Sequence, residues 1–246
     1  MKEGIVYIIT NHDNEKHKEY FERLCNKSIN HARCLKMPIA VCSVASQGKT
    51  KADINIDANP YLNKYKQANG LVSAELLKTH ICEWSPFDRT LYLDCDAIVI
   101  KRQARDYLDV LECGYDLTIT TCLTMNWKDH IDLAPISNHI FDKGVPRCFP
   151  YWNFGVFGTQ KDRSGSLMSK IRENFLKYCF DKKFSGSGPH AQPAIVNTAF
   201  QLSPDHKIFT MPTRYNCHFA IAGGYVYHDQ PVIFHMWKDL RNMILE

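Results

Sequence analysis

Two aspartates one residue apart lie at the end of an apolar, strand-like run. Asp94 and Asp96 belong to the stretch RTLYLDCDAIVI, residues 89–100. Because alternate side chains of a strand point to the same face, both carboxylates are expected on one side of the strand's end. Two like charges in a half-buried place are costly unless a cation lies between them, and oxygen ligands suit Mg²⁺ or Mn²⁺. The pair is therefore a candidate metal site, and the alternative is a solvated turn after a buried strand.

A histidine near the other end of the sequence could complete such a site. His235 ends the strand-like run PVIFH, and Lys238 follows it closely. Two carboxylates and one imidazole make a three-ligand site with open positions for phosphate oxygens or water. The sequence therefore predicts Asp94, Asp96 and His235 as metal ligands, with an ordinary surface or core histidine as the alternative for His235.

Strands and helices alternate in the part of the chain that must position the aspartates. The predicted strands are GIVYIIT, PIAVCSV, the run ending at Asp94, and YDLTITTC; the predicted helices cover residues 14–33, 73–84 (with Ser73 as N-cap) and 104–114. This alternation favours an α/β domain with a largely parallel sheet. Ligands of such sheets bind at the carboxyl ends of the strands, so Thr10 and Asn11 are expected to share an edge with the aspartates.

The second half of the chain is less regular. Residues 123–150 contain aromatic, histidine and proline side chains without clear periodicity, which predicts a long functional loop region. After it, YWNFGVFGT, KIFTMP and PVIFHMW predict strands, and SGSLMSKIRENFLKYCF and QPAIVNTAF predict helices. Because no linker separates two cores, we expect one domain over residues 1–246, with a regular half, residues 1–122, and an irregular half, residues 123–246.

Composition and charge argue against several classes of protein. The net charge of +4 is small, and no run of five or more Lys/Arg is present, so no nucleic-acid partner is expected. The apolar run at the N-terminus is too short for a signal-peptide core, and no stretch approaches the ~18 apolar residues of a membrane helix. Ten cysteines without a C-x₂-C pair favour free thiols over disulfides or zinc. We therefore expect a cytoplasmic protein.

These motifs, in this order, resemble the GT-A fold glycosyltransferases, most closely the glycogenin-like and bacterial galactosyltransferase-like group. LYLDCDAIVI resembles their strand ending in D-x-D, YWNFGVF their N-x-G-V-F strand, and HAQPAIVNTAF their D-Q-x-x-x-N helix. MPTRYNCH resembles their L-P-x-x-[FY]-N segment, and IFHMWKDL their late histidine and lysine element. The resemblance implies a single GT-A (Rossmann-like) domain with a mixed, mostly parallel central sheet flanked by helices, whole or cut from a longer multidomain enzyme.

The resemblance implies a metal-dependent transferase that moves a hexose, with galactose or glucose favoured, from a UDP-sugar to a glycan or another hydroxyl acceptor. Mn²⁺ or Mg²⁺ would neutralise the departing nucleoside diphosphate. The half over residues 1–122 would bind the nucleotide, and the half over residues 123–246 the acceptor and the donor sugar. The oligomeric state is left open.

The matched motifs also imply a set of donor-binding residues. Asp94 would touch the donor ribose in addition to the metal, while Lys78 and Lys238 would place positive charge beside the departing phosphates. The full set is Thr10 and Asn11 for the nucleoside, Lys78, Asp94 and Lys238 for the ribose and phosphates, and Asn153 and Gly155 for the donor sugar or acceptor.

One motif departs from the family pattern at a position that bears on catalysis. The family helix opens with Asp-Gln, whereas this chain has Ala191 and Gln192. In retaining members that aspartate contacts the donor sugar, so retention and inversion both stay open. The candidate catalytic residues are Gln192, Asp132 and Lys78. An inverting enzyme needs a base near the acceptor hydroxyl, and the side chains that could supply one are Asp132, His130, His190 and Asp205.

Three other classes share part of this pattern. A haloacid dehalogenase-like phosphatase also has an apolar strand ending in D-x-D, but its motif usually lies near the chain start and is followed by a G-D-x-x-x-D that this sequence lacks. A sugar-phosphate nucleotidyltransferase should show a glycine-rich, basic loop where this chain has TNHDNEKHKE. A non-catalytic nucleotide-sugar-binding module, suggested by Ala191, is the main alternative.

Overall fold

The computed structural model describes residues 1–10, 15–44, 50–65, 70–126, 150–178, 205–219 and 230–236. The strands in these ranges are β1 (Glu3–Ile9), β2 (Ile39–Ser43), β3 (Ile54–Asp57), β4 (Arg89–Leu93), β5 (Ala97–Val99), β6 (Leu117–Asn126), β7 (Pro150–Gln160), β8 (Ile208–Met211), β9 (Cys217–Phe219) and β10 (Ile233–Met236). The α-helices are α1 (Glu15–Ala32), α2 (Asn59–Leu62), α3 (Gly70–Thr79), α4 (Ile81–Trp84), α5 (Asp106–Glu112) and α6 (Lys161–Tyr178).

Within the described ranges, a central sheet contains seven strands in the order β3-β2-β1-β4-β7-β6-β8. The first four of these are parallel to one another, β7 is antiparallel to both of its neighbours, and β8 is parallel to β6. The α/β class and the mixed, mostly parallel sheet predicted from the sequence are thus confirmed. Strands from both predicted halves alternate in this sheet, since β7 lies between β4 and β6.

Apolar side chains cover both faces of the central sheet, as the alternation along β1 illustrates. Ile5, Tyr7 and Ile9 pack on one face in a cluster with residues of α1 and α5. Val6 and Ile8 pack on the other face with residues of α3, α4 and α6. The sheet is therefore the middle of three layers, as expected when parallel strands are hydrophobic on both faces.

A second sheet, with the strand order β5-β10-β9, adjoins the first. β10 is antiparallel to β5, with His235 opposite Ala97, and parallel to β9. β5 follows β4 after a turn over residues 94–96, in which the Ala97 N–H donates to the Asp94 carbonyl at 2.9 Å. The predicted strand ending at Asp94 is therefore β4, and residues 97–99 form a separate strand, β5, that belongs to the other sheet.

The predicted helix over residues 73–84 is divided in the structure. It begins at Gly70 and breaks at His80, which separates α3 from α4. Ser73 therefore lies inside α3, and the prediction that it caps the helix is wrong. At the break, the buried ring of His80 has its Nδ1 atom 2.8 Å from Glu83 Oε2.

Two further differences concern strands. β3 is not among the predicted strands, because in this four-residue strand the alternation of the half-buried Ile54 and Ile56 with exposed polar residues is too short to stand out. β6 extends to Asn126, into the range predicted as a loop. The rest of that range and the predicted helix QPAIVNTAF lie outside the described residues.

The sequence predicts that no helix crosses a membrane and that the cysteines are free thiols, and the structure bears on both predictions within the described ranges. No helix in the described ranges is long and apolar enough to cross a membrane. Seven cysteines of the described ranges are free thiols, including the buried Cys25 and Cys95.

Candidate metal and donor site

The ends of β1 and β4 bring the first site residues to one edge of the central sheet. The two strands are parallel neighbours. Thr10, directly after β1, therefore lies at the same edge as Asp94, directly after β4, and the Thr10 side chain is buried. Parallel α/β sheets bind ligands at this carboxyl edge.

Three side chains at this edge bring together atoms that could bind a metal. One ligand atom each from Asp94, Asp96 and His235 lies within 4.8 Å of the others. His235 Nε2 is 3.1 Å from Asp96 Oδ1 and 3.7 Å from Asp94 Oδ2. Two ligands that are each about 2.1 Å from one ion, at right angles, are separated by roughly 3 Å. The distances and the donor types therefore fit a divalent ion with oxygen and imidazole ligands.

The three side chains differ in burial, and their charges influence one another. Asp96 and His235 are buried, while 26% of the Asp94 side chain is exposed. Burial alone would lower the pKa of His235, but the carboxylates of Asp96 and Asp94 outweigh it and raise the pKa above its usual value. Two carboxylates thus create a negative site that attracts cations, and metal binding to the imidazole is coupled to loss of its proton.

Lys78, in the last turn of α3, places a buried cation beside the three side chains. Its Nζ atom lies 3.1 Å from Asp94 Oδ1 and 3.0 Å from Glu75 Oε1, over the rings of Tyr92 and Phe154. Burial alone would lower the pKa of Lys78, but Asp94 and Glu75 outweigh it and raise the pKa, so the ammonium keeps its charge. The Tyr92 hydroxyl donates to the same Asp94 Oδ1 at 2.5 Å. Two donors therefore hold Oδ1, while Oδ2 is the Asp94 oxygen nearer His235.

Gly155 on β7 allows the close approach of His235 and Asp94. A Cβ atom at this position would lie 2.2 Å from His235 Cε1 and 2.7 Å from Asp94 Oδ2. The Gly155 carbonyl also accepts the Asp94 N–H at 2.8 Å, which fixes the start of the turn. Gly155 therefore has a packing role that the sequence did not predict, beside its predicted contact with the sugar or acceptor.

Asn153 and Asn216 connect β7 to the imidazole. The side-chain oxygen of Asn153, Oδ1, accepts the Gly155 N–H at 2.9 Å and the Asn216 side-chain amide at 2.9 Å. Asn216 Oδ1 in turn lies 3.0 Å from His235 Nδ1. Asn216 follows Tyr215 in the segment MPTRYNCH and is fully buried.

Sequence reasoning missed three residues of this site, and each had a weak signal. Tyr92 lies two positions before Asp94 in β4, and Glu75 lies one helical turn before Lys78. Asn216 is the asparagine of a matched motif to which no role was given. In each case the residue type is ordinary for its element, and only the fold reveals the contact.

Several predicted residues cannot be placed. Asn11, Asp132, Gln192 and Lys238 lie outside the described residues, as do His130, His190 and Ala191. Among the candidate bases, only Asp205 is described, and it is exposed just before β8. β8 begins beside Leu117 of β6, and β6 and β4 run in the same direction because both are antiparallel to β7. β8 therefore begins on the side of the sheet where β4 begins, at Arg89. Asp205 is therefore at the edge of the sheet opposite Asp94, which removes it as a base for this site.

Comparisons with known proteins bear on the fold. No protein-family model and no curated protein matches the sequence. Among solved structures, mouse xyloside xylosyltransferase 1 matches 96% of this chain and 97% of its own, at 12% identity and a TM-score of 0.60. The galactosyltransferase LgtC, solved with donor and acceptor sugar analogues, matches 98% of this chain and 95% of its own, at 12% identity and a TM-score of 0.58.

The chain has the GT-A glycosyltransferase fold. The bifunctional glycosyltransferase WbbM also shares it, at 10% identity and a TM-score of 0.60, over 95% of this chain and 45% of WbbM. At such identities the likeness concerns the GT-A fold alone. In this GT-A sheet, the turn after β4 carries Asp94 and Asp96, and β10 brings His235 beside them.

Proposed function

We propose that this chain is a metal-dependent glycosyltransferase that moves a hexose, with galactose or glucose favoured, from a UDP-sugar to a glycan or another hydroxyl acceptor. The observation that carries the proposal is the cluster of Asp94, Asp96 and His235 at the carboxyl edge of a GT-A sheet. Two carboxylates and one imidazole are ligands that suit Mn²⁺, with Mg²⁺ as the alternative. The buried cation of Lys78 beside the cluster adds to the positive charge available to an anionic donor.

The chemistry requires that charge be neutralised on the leaving nucleoside diphosphate. A bound divalent cation supplies Lewis-acid stabilisation of that charge. Lys78 and Tyr92 hold Asp94 Oδ1, so the aspartate keeps one orientation. Because the Lys78 ammonium and the Tyr92 hydroxyl are already in place, they need not reorganise during the reaction. Lys238, outside the described residues, is proposed to face the same phosphates.

The remaining donor contacts are proposed from the position of each residue. Thr10 and Asn11 follow β1 beside the aspartates and would face the nucleoside, and Asp94 would also touch the ribose. Asn153 would face the donor sugar or acceptor, and among the described residues its side-chain nitrogen has no hydrogen-bond partner. Gly155, which has no side chain, would leave space for the donor sugar or acceptor beside Asn153. We keep Gln192 and Asp132, with Lys78, as the candidate catalytic residues.

Calorimetric titration with UDP, in Mn²⁺ and in EDTA, tests the nucleotide and metal parts of the proposal. Binding in Mn²⁺ that is lost in EDTA is the expected result, and no binding in either condition would refute it. Asp96→Asn should abolish the Mn²⁺-dependent part. Asp88→Asn is the matched control, because Asp88 lies at the opposite end of β4, where it accepts the Lys2 N–H at 2.6 Å.

A donor-hydrolysis screen across nucleotide sugars then tests the transfer itself. Mn²⁺-dependent release of UDP from one or two UDP-hexoses is expected, and the anomer of any transfer product will decide between retention and inversion. Binding of UDP-sugar without slow hydrolysis would instead support the non-catalytic binding module that Ala191 suggests. Release of phosphate from small phosphomonoesters without nucleotide would indicate the phosphatase class.

A further inference from the structure

The backbone N–H of Gly155 determines the direction of the hydrogen bonds that link Asn153, Asn216 and His235. The Gly155 N–H can only donate, and it donates to Asn153 at 2.9 Å, so the atom that receives it must be the Asn153 carbonyl oxygen. The atom of Asn216 that lies 2.9 Å from this oxygen must then be its amide nitrogen. The carbonyl oxygen of Asn216 is consequently the atom that faces His235.

This order places a proton on Nδ1 of His235. Asn216 Oδ1 is an acceptor 3.0 Å from His235 Nδ1, so Nδ1 must donate. The other ring nitrogen, Nε2, points to Asp96 Oδ1 and Asp94 Oδ2. An imidazole protonated at Nδ1 can bind a metal only through Nε2, on the side of the two carboxylates.

We propose that Asn216 is the positioning residue of the candidate metal site, which holds His235 by its Nδ1 proton so that Nε2 faces the carboxylates. The inference rests on the proposed metal-dependent function. Asn216 contacts His235 at Nδ1 and not at the candidate ligand atom Nε2, so it acts through His235. Its full burial and its second bond to Asn153 leave the amide little freedom to rotate. Partners of this kind, behind a metal-binding histidine, fix the ring and tune its affinity for the metal.

Two substitutions of Asn216 separate positioning from packing. Asn216→Leu keeps the approximate volume and removes the acceptor, and we expect about a 10- to 100-fold loss of Mn²⁺ affinity in the presence of UDP. Asn216→Asp keeps an acceptor for the Nδ1 proton but loses the amide that donates to Asn153 Oδ1, and it should still bind Mn²⁺ at least about tenfold more tightly than Asn216→Leu, which lacks both groups. Asn174→Leu is the matched control, because Asn174 is a half-buried asparagine on α6 that donates to Lys170 at 3.1 Å.

Histidine ¹⁵N NMR of the ion-free protein gives a readout that a merely structural role would not change. The Nδ1–H signal of His235, assigned by its loss in His235→Gln, should exchange slowly in the wild type and in Asn216→Asp. It should exchange rapidly with water in Asn216→Leu. The wild-type spectrum alone tests the inference if a variant fails to fold.

The outcomes separate this inference from the proposed function. If the wild type binds no Mn²⁺ with UDP, the metal-dependent function fails, while the exchange of the Nδ1–H signal still decides the role of Asn216. If the wild type binds Mn²⁺ and Asn216→Leu binds it equally well, the positioning role is overturned. A wild-type Nδ1–H signal that exchanges as fast as those of surface histidines overturns it as well.

Discussion

Replacing Gly155 with alanine tests how closely the candidate metal site is packed. The added Cβ atom would lie 2.2 Å from His235 Cε1 and 2.7 Å from Asp94 Oδ2. Ordinary contacts begin at 3.4 Å, so starting from 2.2 Å the imidazole or the β7 backbone must move by about 1.2 Å. Because a side chain rotates more easily than a strand whose Gly155 carbonyl accepts the Asp94 N–H, we expect the imidazole to move.

A displacement of that size is large on the scale of metal coordination. Metal–ligand distances stay within about 0.2 Å of their preferred values, so His235 would leave the coordination range. We expect the affinity for Mn²⁺ in the presence of UDP to fall by about 100-fold or more, which corresponds to about 2.7 kcal/mol of binding free energy. Calorimetric titration of Mn²⁺ into the UDP-saturated protein measures this directly.

Gly158→Ala is the matched control on the same strand. Its Cβ atom would lie 2.3 Å from Thr118 Oγ1 and 2.9 Å from the Tyr107 carbonyl oxygen, away from the metal-ligating side chains. It should lower the free energy of unfolding by about 1–3 kcal/mol and leave Mn²⁺ affinity nearly unchanged. A Gly155→Ala protein that binds Mn²⁺ within about threefold of the wild type would refute the packing argument.

Other substitutions test the charges around the site and the helix break. His235→Gln should abolish Mn²⁺-dependent UDP binding in calorimetry, and retention of that binding would remove His235 from the metal site. Lys78→Met should lower the free energy of unfolding by about 3–5 kcal/mol, measured in urea, because it removes the buried cation that pairs with Glu75 and Asp94; the added Glu75→Gln change should restore part of that loss without restoring donor turnover. Burial lowers the pKa of His80, so the unfolded chain takes up its proton at higher pH than the folded chain does. Stability should therefore fall as the pH drops below about 6.5, by at most about 1.4 kcal/mol per pH unit, and urea unfolding at several pH values should show a flatter profile for His80→Gln.

The elements around the aspartates could be predicted because their signals are local. β1 and β4 contain the apolar runs IVYII and LYL, with buried side chains on both faces, and such runs are typical of central parallel strands. The two acids directly after β4 then follow the rule that ligands bind at the carboxyl ends of strands. Local patterns were thus sufficient for these two strands and for the position of the acidic pair.

The environment of that pair could not be predicted, because it is built from residues distant in sequence. The packing role of Gly155 arises where β7 crosses beside β4, and Asn216 reaches His235 from a turn before β9. Ser73 is a good capping residue by type, yet α3 begins before it, at Gly70. Residue type alone does not reveal such contacts, which depend on which segments the sheet brings together.

The turn between β4 and β5 also ties the two sheets to each other. Asp94 directly follows β4 of the large sheet, whereas the backbone carbonyl of Asp96 accepts the Met236 N–H of the small sheet at 2.9 Å. An ion shared by Asp94, Asp96 and His235 would be a crosslink between the sheets, and it would resist their separation by the free energy of its binding. Amide hydrogen exchange at Met236 should therefore slow when Mn²⁺ and nucleotide are added, which would make this amide a reporter of how the small sheet opens.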